Sequence, residues 1–575
     1  MKISLTILFI MLCATCNAQK PDFNLVTGQE INNNSNTVTG VPTPADAVAL
    51  AVADLGKMTQ DIRPFQRYIW IPEPSKAKIG AISYTLNLAC SRASTIIKPA
   101  ILGNGQLIRC DLRSLAPRDG QLNEMIKLWE SFQFEPYFHI TKSSNSILPV
   151  NAVTVEPVLG DPVGSIRFNI DDQQWMKTLD NTFLVWDGND WIITQAPIQF
   201  SKSQVSTYGA HCGLEQSVIL QSLTQSNAAI VRYDYFLTKA LSTTNGGMYY
   251  DFVGIKSNPS GKSAQSAFLE SLGANEKLVE SLRSDQRAAM FRSNVTGKPR
   301  RIDAFYGVGV RPSSGTGLIT ITYDLSDENV DPRSDPIRNL LDFKDNAREV
   351  IAERSNGLHV FALFDNNGGL QDVAPDNIVK DHTVPAPHTA RLQPAISCIR
   401  CHAASEGFQP FENDVQKMLS GLLDVFGDLD SKSSVPDTLD RLAGLYAGDL
   451  SKPLRRARDD YNSAIFRATD GMGATSVGNM VADIYGNYNY NLIDAYTACL
   501  ELGYDVPEKQ AHQYLNQLVP PLNRDSIGIS PEDPIIGALK AGLKVNRYQF
   551  EQVYADLAFR ALQTRKEQNK QSTQK

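Results

Sequence analysis

Cys398-Ile399-Arg400-Cys401-His402 is the segment that most narrows what this chain can become. Two thiols separated by two residues can form thioethers with the two vinyl groups of a haem. The adjacent histidine then lies under the iron as its proximal ligand. Two rival readings of the same residues compete. A structural zinc site needs a second Cys/His pair at ligand spacing, but His211-Cys212 is a lone adjacent pair and Cys499 stands by itself. A thioredoxin-like disulfide leaves His402 unexplained and lacks a βαβ context. The pattern therefore points to one covalent haem c, attached through Cys398 and Cys401 and ligated by His402.

Attachment of this kind takes place outside the bacterial cytoplasm, and the N-terminus reads accordingly. Met1-Lys2 is a short basic start, Ile3 to Cys13 is an almost unbroken apolar run, and Cys16-Asn17-Ala18 ends in a small residue suited to cleavage before Gln19. The run is too short for a permanent membrane helix, and no later stretch is long and apolar enough for one. Residues 1–18 are expected to be a signal peptide, which makes the mature chain periplasmic or extracellular. Lipidation at Cys16 ranks second, because Cys13 replaces the leucine-like residue expected three positions earlier. The chain has eight cysteines, and six of them lie beyond the leader: Cys90, Cys110, Cys212, Cys398, Cys401 and Cys499. In an oxidising compartment spare thiols tend to pair. Cys90 and Cys110 are the nearest candidates, with their connectivity left open.

At 575 residues, 42% hydrophobic and 20% charged, the chain has the makeup of a folded protein of about three domains. A net charge of −7 disfavours a nucleic-acid partner. The expected class is α+β: mixed α/β N-terminal and middle regions, a β-meander leading into the haem motif, then an all-helical C-terminal region. Residues 19–44, polar and rich in Asn and Thr, read as a flexible leader. Residues 45–224 read as a mixed α/β domain, with a helix over Asn123–Phe132, a strand over Leu107–Leu112 and a hairpin over Phe183–Thr194 turning at Asp187-Gly188-Asn189-Asp190. Residues 225–410 read as a β-rich domain ending in the haem motif. Leu278–Phe291 looks helical there and Gly317–Tyr323 alternates as a strand. Arg348–Arg354 and Leu358–Asp365 flank Asn356-Gly357, which suits a two-residue hairpin turn with positive φ angles. Residues 411–563 read as helical, with helices over Glu412–Phe426, Thr438–Tyr446, Val477–Leu502 and Asn546–Thr564 and a start signal at Asp437. Residues 564–575 read as a disordered tail. The helical part should pack on the haem region, since only about ten residues separate them.

The sixth iron position is open to several side chains. His388 comes first on proximity, in the restrained Pro385-Ala386-Pro387-His388. His139 comes second, at the end of the aromatic run Pro136-Tyr137-Phe138-His139. His382, His359, Met418, Met472 and Met480 complete the set, with Met472 presented between two glycines. Arg391 and Arg400 flank the motif and suit haem propionates. Thr244-Asn245-Gly246-Gly247 lacks the spacing and lysine of a phosphate loop. No catalytic triad or paired-carboxylate motif stands out.

Between Arg348 and Pro410 the chain resembles a group of large, secreted bacterial mono-haem cytochrome-c-like proteins. The likeness is carried by Arg348-Glu349-Val350-Ile351, Ser355-Asn356-Gly357-Leu358-His359, Ala374-Pro375-Asp376-Asn377-Ile378-Val379 and Ile396-Ser397-Cys398-Ile399-Arg400-Cys401-His402. The group has glycine where Ala395 stands here. Arg67-Tyr68, Leu86-Asn87, Leu107–Arg113, Pro136–His139, Arg232–Leu237 and Tyr249-Tyr250 extend the likeness upstream, while residues 145–225 look like an insertion. The resemblance implies haem binding and, by analogy with cytochromes, electron transfer with a redox partner protein of unknown identity. The alternatives are a haem enzyme or gas sensor with an open iron site, and a haem-bearing binding or scaffold protein.

Overall fold

A computed structural model describes short strands at residues 23–30 and between 153 and 194, most of residues 44–138, and most of 214–564. The longer stretches outside the described residues are 1–22, 31–43, 139–152, 155–165, 195–213, 275–286, 306–316, 326–343, 405–412, 427–439, 521–532 and 565–575. The chain is mixed α+β. The expected signal peptide, most of the flexible leader, the tail, His139, Cys90, Cys212 and Asp437 all lie outside the described residues.

The first sheet forms around Tyr68-Ile69-Trp70-Ile71, a run apolar enough to be buried on both faces. Its strand β1 (Gln66–Trp70) is buried along its whole length. It sits between β3 (Leu107–Asp111), its antiparallel partner, and β9 (Ile230–Arg232), a parallel one; β2 (Ala100–Leu102) closes the far edge. Because β9 follows residue 224, the sheet joins chain from both sides of the expected domain boundary. Helix α1 (Pro44–Leu55) packs on this sheet together with α4 (Leu214–Thr224). The long helix α2 (Lys76–Ala89) is buried from Gly80 onward. Helix α3 (Gln121–Glu130) covers the expected Asn123–Phe132 segment. Five strands, β4 to β8 (Val153–Thr154, Ile166–Ile170, Gln173–Lys177, Phe183–Trp186 and Trp191–Thr194), form a separate antiparallel meander. Its last two strands are the hairpin read at Phe183–Thr194.

Six strands run in chain order through the other large antiparallel sheet: β10 (Arg287–Met290), β11 (Arg300–Phe305), β12 (Ile319–Asp324), β13 (Ala347–Glu353), β14 (His359–Asp365) and β15 (Leu370–Gln371). Two expectations are corrected here. The helix read over Leu278–Phe291 is a strand in its described part, Arg287–Met290, because pairing with β11 and burial of Ala288 and Ala289 override a helical spacing. The Asn356-Gly357 hairpin closes with a three-residue loop, Arg354 N donating to Leu358 O at 2.8 Å, and only Gly357 has a positive φ, 87°. Asn356 uses its side chain instead. Its amide donates to Asn87 O at 2.9 Å, tying the hairpin tip to the end of α2.

After this six-stranded meander come α6 (Ile396–Ala404), α7 (Asp414–Phe426), α8 (Ser451–Ala468), α9 (Ala474–Tyr490), α10 (Ala495–Glu501), α11 (Ala511–Leu518) and α12 (Pro534–Lys540). The single helix read over Val477–Leu502 is two. The chain turns extended at Asn491, Ile493 bridges to Val545, and Asp494 caps a new helix by accepting from Thr497 N at 3.0 Å. Helix α9 packs along α6, α2 and α5 (Tyr233–Leu241). One apolar core runs from Ile69 through the meander and α6 to Tyr488. A second joins α1 and β1 to residues 493–561.

Candidate functional site

Cysteines three apart and a histidine four beyond the first fall on one side of a helix. Helix α6 realises that geometry: Cys398, Cys401 and His402 all line one cleft of about 650 Å³. One wall comes from the meander, with Ala347, Leu363 and Phe364. The other is the loop between β15 and α6, which contributes Ala374, Pro375, Ile378 and Leu392. This loop is folded back on itself, with Ala374 N donating to Leu392 O and Asp381 N to Ala390 O, both at 2.9 Å. Asp381 then binds it to α6, accepting from Ser397 Oγ at 2.9 Å and pairing with Arg400.

Helix α6 begins in an unusual way. Ala395, fully buried, has φ 63°. That is left-handed backbone, where glycine is the easy residue. Ala395 occupies this position under strain.

Cys398 is buried and donates through Sγ to Glu349 Oε1 at 3.5 Å, whereas Cys401 is exposed. Burial, reinforced by the Glu349 carboxylate, holds the Cys398 thiol well above its ordinary range. The Cys401 thiol is raised as well, by desolvation. Disulfide exchange uses a thiol with a lowered pKa, and both of these are shifted the other way. His402 rests 5.5 Å from the Phe361 ring. Charged groups share the cleft. Arg300 and Asp324 form a bidentate pair at 2.7 and 2.9 Å, and Arg348 is held by Asp345 at 2.6 Å.

Among the described residues, His402 is the one histidine lining this cleft, and no methionine lines it. His388 is exposed, its ring 4.8 Å from Tyr490 at the end of α9. His382 is exposed too. His359 is buried and stacked on Tyr461 at 4.0 Å; burial, then the nearby His402, keeps its imidazole well below the ordinary range. Met472 is buried against Gly80 of α2, Met418 packs with Val415 and Tyr446, and Met480 lies against the main core. Tyr137 and Phe138 are buried in the second core, against Tyr554 and Trp70. Of the two flanking arginines, Arg400 is taken by Asp381, and Arg391 pairs with Asp376 at 3.3 Å on the surface. Cys110 is a buried free thiol pushed up to about 12 by burial.

Sequence reasoning missed Glu349, Arg300 and Asp324. Glu349 lies on a strand, and strand alternation carries no signal that its neighbour is a thiol on a distant helix. Comparison of the chain with family models, with curated proteins and with solved structures returns no match. Among the described residues, no group of three or more His, Cys, Asp or Glu is placed to hold a metal ion by itself, and no helix is long and apolar enough to cross a membrane.

Proposed function

We propose that this chain is an exported mono-haem c-type cytochrome-like protein, in which a β-meander feeds a haem-bearing helix backed by a helical C-terminal region. Cys398 and Cys401 would carry the two thioethers and His402 would be the proximal ligand. The observation that carries the reading is the convergence of these three side chains on one cleft with largely apolar walls. When bound, the haem supplies reversible one-electron chemistry. The chain's own residues do the rest: α6 aligns thiols and imidazole, and the folded loop forms the wall on one side. Electron exchange with a partner protein outside the cytoplasm follows as the role, with residues 1–18 as the export signal.

Protein matured in a host with c-type haem assembly should keep its haem through acid–organic extraction, and Cys398→Ala with Cys401→Ala should lose it. Covalent haem in that double variant would reject the assignment. Intact mass should place the mature N-terminus at or near Gln19; an uncleaved Met1 would reject export.

A second reading, a haem enzyme or gas sensor, is favoured by one feature. The cleft holds Glu349 and the Arg300–Asp324 pair, polar groups of the kind a reactive distal pocket uses. Carbon monoxide decides between the two. A shift in the ferrous spectrum of wild-type protein supports the open site, and an unchanged low-spin spectrum supports the electron carrier.

A further inference from the structure

A second cleft, of about 730 Å³, lies outside the cysteine site. It opens at the carboxyl ends of β1 and β9, the two parallel neighbours of the first sheet, where Trp70 and Arg232 are paired in register. The rest of the wall comes from distant segments: Lys78 on α2, Tyr233 and Asp234 opening α5, Asn487 and Tyr488 on α9, Glu501 on α10, and Arg547.

Its floor is a ladder of alternating charges. Arg232 grips Asp234 through Nε at 2.7 Å and Glu501 through Nη1 at 2.5 Å, and Arg547 Nη1 donates to the same Glu501 at 2.5 Å and to the Tyr137 hydroxyl at 2.8 Å. All four charged side chains are at least 87% buried, and the Arg547 Nε meets no hydrogen-bond acceptor. Buried ion pairs of this kind contribute little net stability, because desolvation offsets their attraction. Charges held in a cleft are available to a ligand that can make hydrogen bonds to them.

The chemistry of the wall selects the ligand. Cations Lys78, Arg232 and Arg547 face anions Glu73, Asp234 and Glu501. A charged ligand of either sign would meet as much repulsion as attraction. A hydroxyl is both donor and acceptor, so it can bridge a guanidinium and a carboxylate of the ladder. Tyr233, with Lys78 Nζ over one part of its ring at 5.5 Å from the centroid, and Ile484 add apolar surface for the C–H face of a ring.

We infer that this cleft binds a neutral carbohydrate, its hydroxyls held by the Arg232–Asp234–Glu501–Arg547 ladder and its ring against Tyr233. The site is independent of the haem, although α9 forms a wall here and packs along α6 at the other cleft. The test is calorimetric titration of the full chain with cellobiose, maltose and N,N′-diacetylchitobiose, and with glutamate and inorganic phosphate as charged probes. At least one neutral disaccharide should bind in the micromolar to millimolar range. Tyr233→Ala and Asn487→Ala, shown to be folded by circular dichroism, should each weaken that binding about tenfold or more. The Cys398→Ala/Cys401→Ala chain should bind as wild type does, so failure of the haem assignment leaves this result standing. Absence of binding by all three disaccharides to folded protein would overturn the inference. So would binding of only glutamate or phosphate, or disaccharide binding that neither cleft variant changes.

Discussion

At Ala395 two small energies oppose each other. Left-handed backbone costs an L-residue about 1–2 kcal/mol, while the buried methyl group is worth about 0.8 kcal/mol and glycine loses about 0.5–1 kcal/mol more in chain entropy. Ala395→Gly should therefore change stability by less than about 1 kcal/mol, because relief and loss nearly cancel. Ala395→Val should cost more than about 2 kcal/mol, since a β-branched residue tolerates neither the φ nor the packing. Denaturant midpoints measure both, and a valine variant as stable as the glycine one would show that residue 395 is not left-handed. The same scale explains why Asn356 departs from the expected hairpin turn. A side-chain bond to Asn87 O is available only once α2 is in place.

Helix α2 shows the tension between propensity and packing at the scale of the element. Gly80 lies in its middle, where alanine would gain about 1 kcal/mol. A Cβ there would stand 2.2 Å from Met472 Sδ, in the turn between α8 and α9. Gly80→Ala should thus destabilise by about 1–3 kcal/mol despite its propensity. In a double-mutant cycle with Met472→Ala the penalty should shrink by at least about 1 kcal/mol; strict additivity would mean the two residues do not meet. Element boundaries follow the same logic. The break between α9 and α10 needs the bridge from Ile493 to Val545, a partner more than fifty residues away.

Over the whole molecule, the first core binds the meander, α6, α8 and α9 into one apolar unit. Nicking between Ala404 and Asn413 should leave both fragments associated through size exclusion, and their separation as folded pieces would contradict that unity. The polar cluster between the two cores makes stability pH-dependent. Burial raises the Glu551 carboxyl from its ordinary 4.5 to about 7, with Tyr488 OH donating to it at 2.6 Å. A carboxyl raised in the fold favours the folded state below about 4.5 and loses that advantage as pH climbs through 7. Glu501 works oppositely, held near 2 by Arg232 and Arg547 against its burial, so its contribution is lost as pH falls below about 4.5. Glu551→Gln should flatten the decline in stability between pH 5 and 7. An unchanged slope in thermal melts would show that Glu551 is not its source.

That Cys398, Cys401 and His402 share one side of a helix was legible without any structure, because it depends only on spacing within a single helix. Strands such as Leu107–Asp111 and the two sides of the Asn356-Gly357 hairpin were legible too, since alternation and turn residues act over a few positions. What tertiary structure alone decided is everything that joins distant chain. It turned Arg287–Met290 into an edge strand, split the long helix at Asn491, set Glu349 beside Cys398, and left His388 on the surface beside Tyr490. It also gathered Arg232, Glu501 and Arg547 into one buried ladder. Each of these outcomes is a competition between local preference, worth about 1 kcal/mol or less per residue, and burial or pairing with a partner far along the chain. No local pattern records which partner that will be.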